Sequence, residues 1–203
     1  DFQGFTQSAA RMRPDELVAE LDGYFSQFDS ICARHQMEKL KTIGDSYMCA
    51  SGIPRPNSGH AVDACLAAIE FREFVLKTAS LREEAGLPCW QVRIGIHSGP
   101  VISGVIGNYK FAYDIWGDTV NTASRMESAS APGQVNLSEN TYKLVQELFQ
   151  CEARGPVEVK GKGLLNMYFL RRIKPEYSRD AAGLVPNDDF LERRREITEW
   201  TWS

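Results

Sequence analysis

Residues 37–43 and 46–50 read as two short strands separated only by Gly44-Asp45. That spacing constrains the fold more than any other feature of the chain. Gly followed by Asp closes a two-residue hairpin, so the two strands run antiparallel. A parallel pair would need a crossover of roughly a dozen residues or more. Tight joins recur further on. Ser98-Gly99-Pro100 turns a strand at 90–97 into one at 101–106, and Gly107-Asn-Tyr-Lys110 is a hairpin tip before the strand at Phe111. That hairpin, carrying Tyr109 and Phe111, is expected to project and pair with a partner.

Helices alternate with these hairpins. Pro14 suits a first helical position, with Asp15 and Glu16 complementing the helix dipole. Leu17, Val18, Leu21, Phe25, Phe28, Ile31 and Cys32 then recur at helical spacing to about Arg34. A second helix runs from His60 to Glu84, with Val62, Cys65, Leu66, Ile69, Phe71, Phe74 and Val75 as its apolar face. Val92, Ile94 and Ile96 alternate with Gln91, Arg93 and Gly95, as in a half-buried strand. Further on come a strand at 134–137, a helix from Glu139 to Phe149, and strands at 157–159 and 165–170. The pattern predicts an α+β domain with a mixed, mostly antiparallel sheet and packed helices, rather than a doubly wound parallel sheet. Residues 1–171 read as this domain. Residues 172–203 are polar, with Pro175, Pro186 and Arg193-Arg-Arg-Glu196, and fit a helix or a linker equally.

Composition excludes several classes. A net charge of −4 gives no electrostatic case for nucleic acid. With 43% hydrophobic and 25% charged residues the composition is that of an ordinary soluble protein, and no apolar run is long enough to span a membrane. Five cysteines, none in a Cys-x-x-Cys pair, suit reduced thiols in a cytoplasmic setting. The first residue is Asp1 rather than Met, so the chain reads as part of a longer protein in which a tether or a sensor domain is expected.

The candidate site residues come from three places. In 111–127 a strand breaks at Gly117 and gives way to a helix on which Asn121 and Arg125 lie four apart, on one face, with Asp114 just upstream. A charged-ligand site and a solvated helix fit this spacing equally well. Asp45 at the hairpin tip and Asp1 before a Gly-containing turn could each bind a cation, or serve only the turn. Val159-Lys-Gly-Lys-Gly163 suits close approach to phosphate, and a charged hairpin as well.

Five segments in order resemble the catalytic domain of class III adenylyl cyclases. They are Asp1-Phe-Gln-Gly-Phe-Thr6, Glu38-Lys-Leu-Lys-Thr-Ile-Gly-Asp-Ser-Tyr-Met48, Arg93-Ile-Gly-Ile-His-Ser-Gly-Pro-Val101, Tyr113-Asp-Ile-Trp-Gly-Asp-Thr-Val-Asn-Thr-Ala-Ser-Arg-Met126 and Val159-Lys-Gly-Lys-Gly163. The resemblance covers about residues 1–170. It implies a ferredoxin-like βαββαβ core with additions, and a head-to-tail homodimer whose active sites draw on both protomers. It also implies two Mg²⁺ or Mn²⁺ ions held by Asp1, Asp45 and the Phe2 carbonyl. Backbone groups of Gln3, Gly4, Phe5 and Thr6 would line the phosphates, and Lys160 would reach the terminal ones. Asn121 would orient the ribose, Arg125 would neutralise charge at the α-phosphoryl group, and Lys41 with Asp114 would read the base.

That last pair predicts the substrate. Adenine offers an acceptor at N1 and a donor at its amine, matching a lysine and an aspartate. Guanine reverses the pattern, and guanylyl members of the family carry Glu and Cys here. ATP is the expected substrate, with a guanylyl cyclase or a catalytically silent nucleotide-sensing module as the alternatives. In one respect the chain departs from some members of the family, having Pro100 where they carry a phosphate-contacting arginine.

Overall fold

Residues 1–107, 109 and 111–199 are described by the computed structural model. In chain order the elements are β1 (Phe2–Gln3), α1 (Phe5–Ala9), α2 (Pro14–Arg34), β2 (Glu38–Ile43), β3 (Ser46–Ala50), α3 (His60–Glu84), β4 (Gln91–Ile96), β5 (Ile102–Ile106) and β6 (Ala112–Trp116). There follow α4 (Asp118–Ser128), β7 (Gln134–Ser138), α5 (Glu139–Val145), β8 (Phe149–Val159), β9 (Gly163–Ile173), a 3-10 turn at Pro175–Tyr177, and α6 (Asp188–Glu199). The order from β1 to β4 is the expected βαββαβ sequence with one addition, the five-residue α1 ahead of α2.

Five strands form the main sheet in the order β1-β4-β7-β9-β8. Among the described residues of this sheet, only the β4–β7 pair is parallel. Among the described residues the hairpins β2–β3 and β5–β6 each pair only within themselves, as two arms separate from the main sheet. Between α3 and the sheet lies one core, built from Val62, Cys65 and Ile69 against Val135, Leu137, Leu170 and Ile173. The other side of α3 serves a second, aromatic core of Phe2, Tyr24, Phe28, Phe71 and Trp90. Helix α3 is therefore apolar on two faces because it is buried on two faces. No helix among the described residues is long and apolar enough to cross a membrane.

One expectation needs correction, and one left open is decided. The helix expected to reach Phe149 stops at Val145, and Phe149 instead opens β8 opposite Ile173. Sheet pairing and burial of the Phe149 ring, edge-on to Phe190 at 5.7 Å, outweigh continuation of a short helix. The polar segment past 171 is ordered: Arg171, Arg172 and Ile173 extend β9, and α6 inserts the fully buried Phe190 into the core. Arg194 of α6 also pairs with buried Asp63 of α3. At the expected 107–110 tip, Asn108 and Lys110 lie outside the described residues, as do residues 200–203.

Candidate active site

Asp1 is positioned by the strand that follows it. Phe2 is buried among the rings of Tyr24, Trp90 and Phe28, with centroids at 5.0, 5.3 and 6.1 Å. The Asp1 carbonyl accepts the Arg93 N–H at 2.9 Å. Backbone alternation then turns the N–H and carbonyl of Phe2 the other way, and that N–H meets Asp45 Oδ2 at 3.2 Å. Ser46, next to the hairpin tip, donates to Asp1 Oδ2 at 2.6 Å. Two carboxylates 44 positions apart in sequence are thereby tied to one end of β1.

These groups suit a hard divalent cation. Carboxylate and carbonyl oxygens are the donors that Mg²⁺ and Mn²⁺ prefer, and such ions commonly take only one or two protein carboxylates, with substrate phosphates completing the shell. Among the described residues no three His, Cys, Asp or Glu side chains gather into a full cage.

Lys41 and Asp114 come from the two arms. Strand β2 carries an irregularity between Lys39 and Lys41, so that Lys39 faces Cys49 and Lys41 faces Met48. Opposite neighbouring partners, the two lysines point to opposite faces. Lys39 bonds Asp29 of α2 at 2.9 Å, whereas Lys41 Nζ donates to Asp114 Oδ2 at 2.5 Å. Asp114 lies in mid-strand opposite Gly104, and its Oδ1 accepts the Ile115 N–H at 2.9 Å. The Lys41 hydrogen bond, then that N–H, hold its carboxyl below the usual range.

Helix α4 lies directly on β4 because Gly95 has no side chain. A Cβ there would stand 2.0 Å from the Glu127 nitrogen. Asn121 and Arg125 project from the exposed face of α4, and neither has a polar side-chain partner among the described residues.

The family model described as "Adenylate and Guanylate cyclase catalytic domain" matches residues 1–172. The chain belongs to this family. It is 39% identical over 170 residues to an adenylate cyclase of Mycobacterium bovis, covering 84% of this chain and 38% of that relative. The chain thus spans well under half of that protein. Among solved structures, the guanylate cyclase domain of RhGC from Catenaria anguillulae in complex with GTP superposes with a TM-score of 0.80, at 34% identity, over 86% of this chain and 93% of that one. A guanylyl cyclase domain of the RhoGC fusion protein from Blastocladiella emersonii, described as a non-canonical dimer, gives a TM-score of 0.77 at 32% identity over 86% and 93%.

Within this cyclase domain a cavity of about 620 Å³ is lined by Asp1, Lys41, Arg93, His97, Asn121 and Glu127, among others. Asp45, Asp114, Arg125 and Lys160 are not part of its lining. Lys160 lies exposed in the β8–β9 turn, while its neighbour Lys162 pairs with Asp118 at the start of α4. Gln3, Gly4 and Thr6 are exposed at the β1–α1 turn, where Gly4 takes a positive φ of 71° and Phe5 is half-buried. The Gly4 carbonyl accepts from Gln7 and Ser8, each at 3.1 Å.

Sequence reasoning passed over Arg93, Glu127, Ser46 and His97. Arg93 Nη2 lies 2.9 Å from Asp1 Oδ1 and 2.9 Å from Glu127 Oε1. In sequence it was just a polar member of an alternating strand. His97 Nδ1 lies 2.7 Å from Ser138 Oγ, and burial, then Lys162, lower its pKa.

Proposed function

We propose that the chain is the catalytic domain of a homodimeric adenylyl cyclase that converts ATP to 3′,5′-cyclic AMP and pyrophosphate. The observation that carries this reading is the Lys41–Asp114 pair, a donor beside an acceptor at 2.5 Å. Opened onto a base, it complements adenine N1 and the adenine amine. Guanine would set Lys41 against N1–H and Asp114 against O6, leaving polar groups unpaired.

The remaining residues divide by task. Asp1 and Asp45, with the Phe2 carbonyl, would hold two divalent ions, Mg²⁺ or Mn²⁺. Bound there, the ions supply Lewis acidity to the 3′-hydroxyl and shield the triphosphate. Backbone groups of Gln3, Gly4, Phe5 and Thr6 face the phosphates, and Lys160 reaches the terminal ones. Asn121 orients the ribose, so that its 3′-oxygen lies in line with the α-phosphorus. Arg125 meets the negative charge that grows on the α-phosphoryl oxygens as pyrophosphate departs.

A shared, head-to-tail site accounts for the unpartnered Asn121 and Arg125, which serve a substrate whose metals are held by the opposite protomer. The β5–β6 arm supplies an apolar contact for a second copy, with Ile102, Val105, Tyr109 and Phe111 all largely exposed. A cytoplasmic setting goes with an ATP substrate. The two alternatives stand as outcomes of a test.

That test offers equal ATP and GTP to the dimer in one reaction. Cyclic AMP should exceed cyclic GMP by roughly 100-fold or more. Dominant cyclic GMP would make this a guanylyl cyclase. Nucleotide binding with neither product would make it a silent sensing module.

A further inference from the structure

Arg93 is an unusual residue to find beside a cation site. It stands on β4 between Asp1 and Glu127, and all three line the cavity. A lone guanidinium there would repel a divalent ion. Glu127 cancels that charge, so the cluster still presents the two negative charges of Asp1 and Asp45. The contact to Glu127 is one of charge rather than an aligned hydrogen bond, since Glu127 Oε1 and the shielded Arg93 Nε lack hydrogen-bond partners among the described residues. A strut serving only stability between β4 and α4 would be cheaper in apolar side chains. Asp1, by contrast, gains a fixed rotamer: Arg93 Nη2 donates to Oδ1 at 2.9 Å and Ser46 Oγ to Oδ2 at 2.6 Å.

We propose that Arg93, charge-balanced by Glu127, is the positioning residue that aims the Asp1 carboxylate for divalent-metal binding. The proposal rests on the reading of Asp1 and Asp45 as metal ligands. Gly95 is what makes the arrangement possible, because only a bare Cα lets α4 settle close enough for Glu127 to reach Arg93. A lysine at 93 would keep the charge, but a point charge on a flexible stem lacks the rigid planar head that holds Nη2 between the two carboxylates.

The test measures Mn²⁺ binding directly, from the electron paramagnetic resonance of the free ion, with 3′-deoxy-ATP present so that no cyclisation occurs. The charge-neutral double variant R93Q/E127Q should bind Mn²⁺ about tenfold more weakly than wild type, as loss of an outer partner to a metal ligand commonly does. R93K should fall between the two. Mn²⁺ affinity within about twofold of wild type for R93Q/E127Q, with D45N binding lost, would overturn the positioning role and leave the metal site standing. If D45N binds Mn²⁺ as wild type does, the metal reading itself fails. Should the double variant not fold, R93K decides, and wild-type affinity in R93K overturns the proposal.

Discussion

The Asp1 end of the site and the Lys41–Asp114 end are built in opposite ways. Asp1 is followed by a fully embedded Phe2, and its carboxylate is bonded from two sides. Lys41 and Asp114 sit on two arms whose strands pair only within their own hairpins, and one ion pair joins them. On the proposed assignment, Asp1 holds a cation, and a carboxylate with that task benefits from being fixed before binding, because ordering it later would cost affinity. On the same proposal, the Lys41–Asp114 pair reads a base and must part to admit it. The contrast teaches that rigidity follows the chemistry each half has to do.

The comparison can be broken most sharply at the fixed end. Asp45→Ala should take cyclase activity to background, measured as cyclic AMP formed with Mn²⁺. Mixing Asp45→Ala with Lys41→Ala protein should restore activity, since one of the two shared sites is then intact. A mixture that stays inactive although mixed dimers form would sink the shared site. Next in size, Arg125→Ala should lower kcat by roughly 100- to 1,000-fold with little change in KM, because its contact is strongest in the transition state. Steady-state kinetics that show the loss in KM instead would recast Arg125 as a ground-state binder.

Gly95→Ala should cost about 3 kcal/mol, with Tm falling on the order of 6–12 °C, because the new Cβ meets helix backbone rather than a pliable side chain. An unchanged melting curve would mean that α4 can lift from β4 freely. The smallest effect belongs to pH. Burial lowers the His97 pKa from its ordinary 6.5, so the unfolded chain binds this proton more readily than the folded one. Stability should therefore rise with pH up to about 6.5 and be lost below it. His97→Gln should flatten Tm between about pH 5 and 7. Asp114 acts at the acid end, where its depressed carboxyl contributes stability that is lost as pH falls below 3.8.

Much of this was legible in the residues. The bounds of α2 and α3 match their apolar periodicity and the proline at position 14, and Gly44-Asp45 announced its hairpin. Both are local effects, set by neighbours within a few positions. Other features had no local signal. Phe149 could continue a helix or start a strand, and only its partner Ile173, 24 positions away, decided the matter. The segment past 171 fitted a helix or a linker equally, because Phe190 stands among charged residues and its burial depends on a core built elsewhere.

The sequence by itself determined the periodicity of the elements, the antiparallel hairpins and the identity of the motif residues, because those rest on short-range geometry and side-chain chemistry. Only the tertiary structure decided how they meet. An irregularity in β2 turns Lys41 away from Lys39 and onto Asp114, although strict alternation would have kept both lysines on one face. The missing side chain of Gly95 brings Glu127 over Arg93, and Arg93 to Asp1. Each depends on register and close approach between segments far apart in the chain, and these exist only once the whole domain has packed.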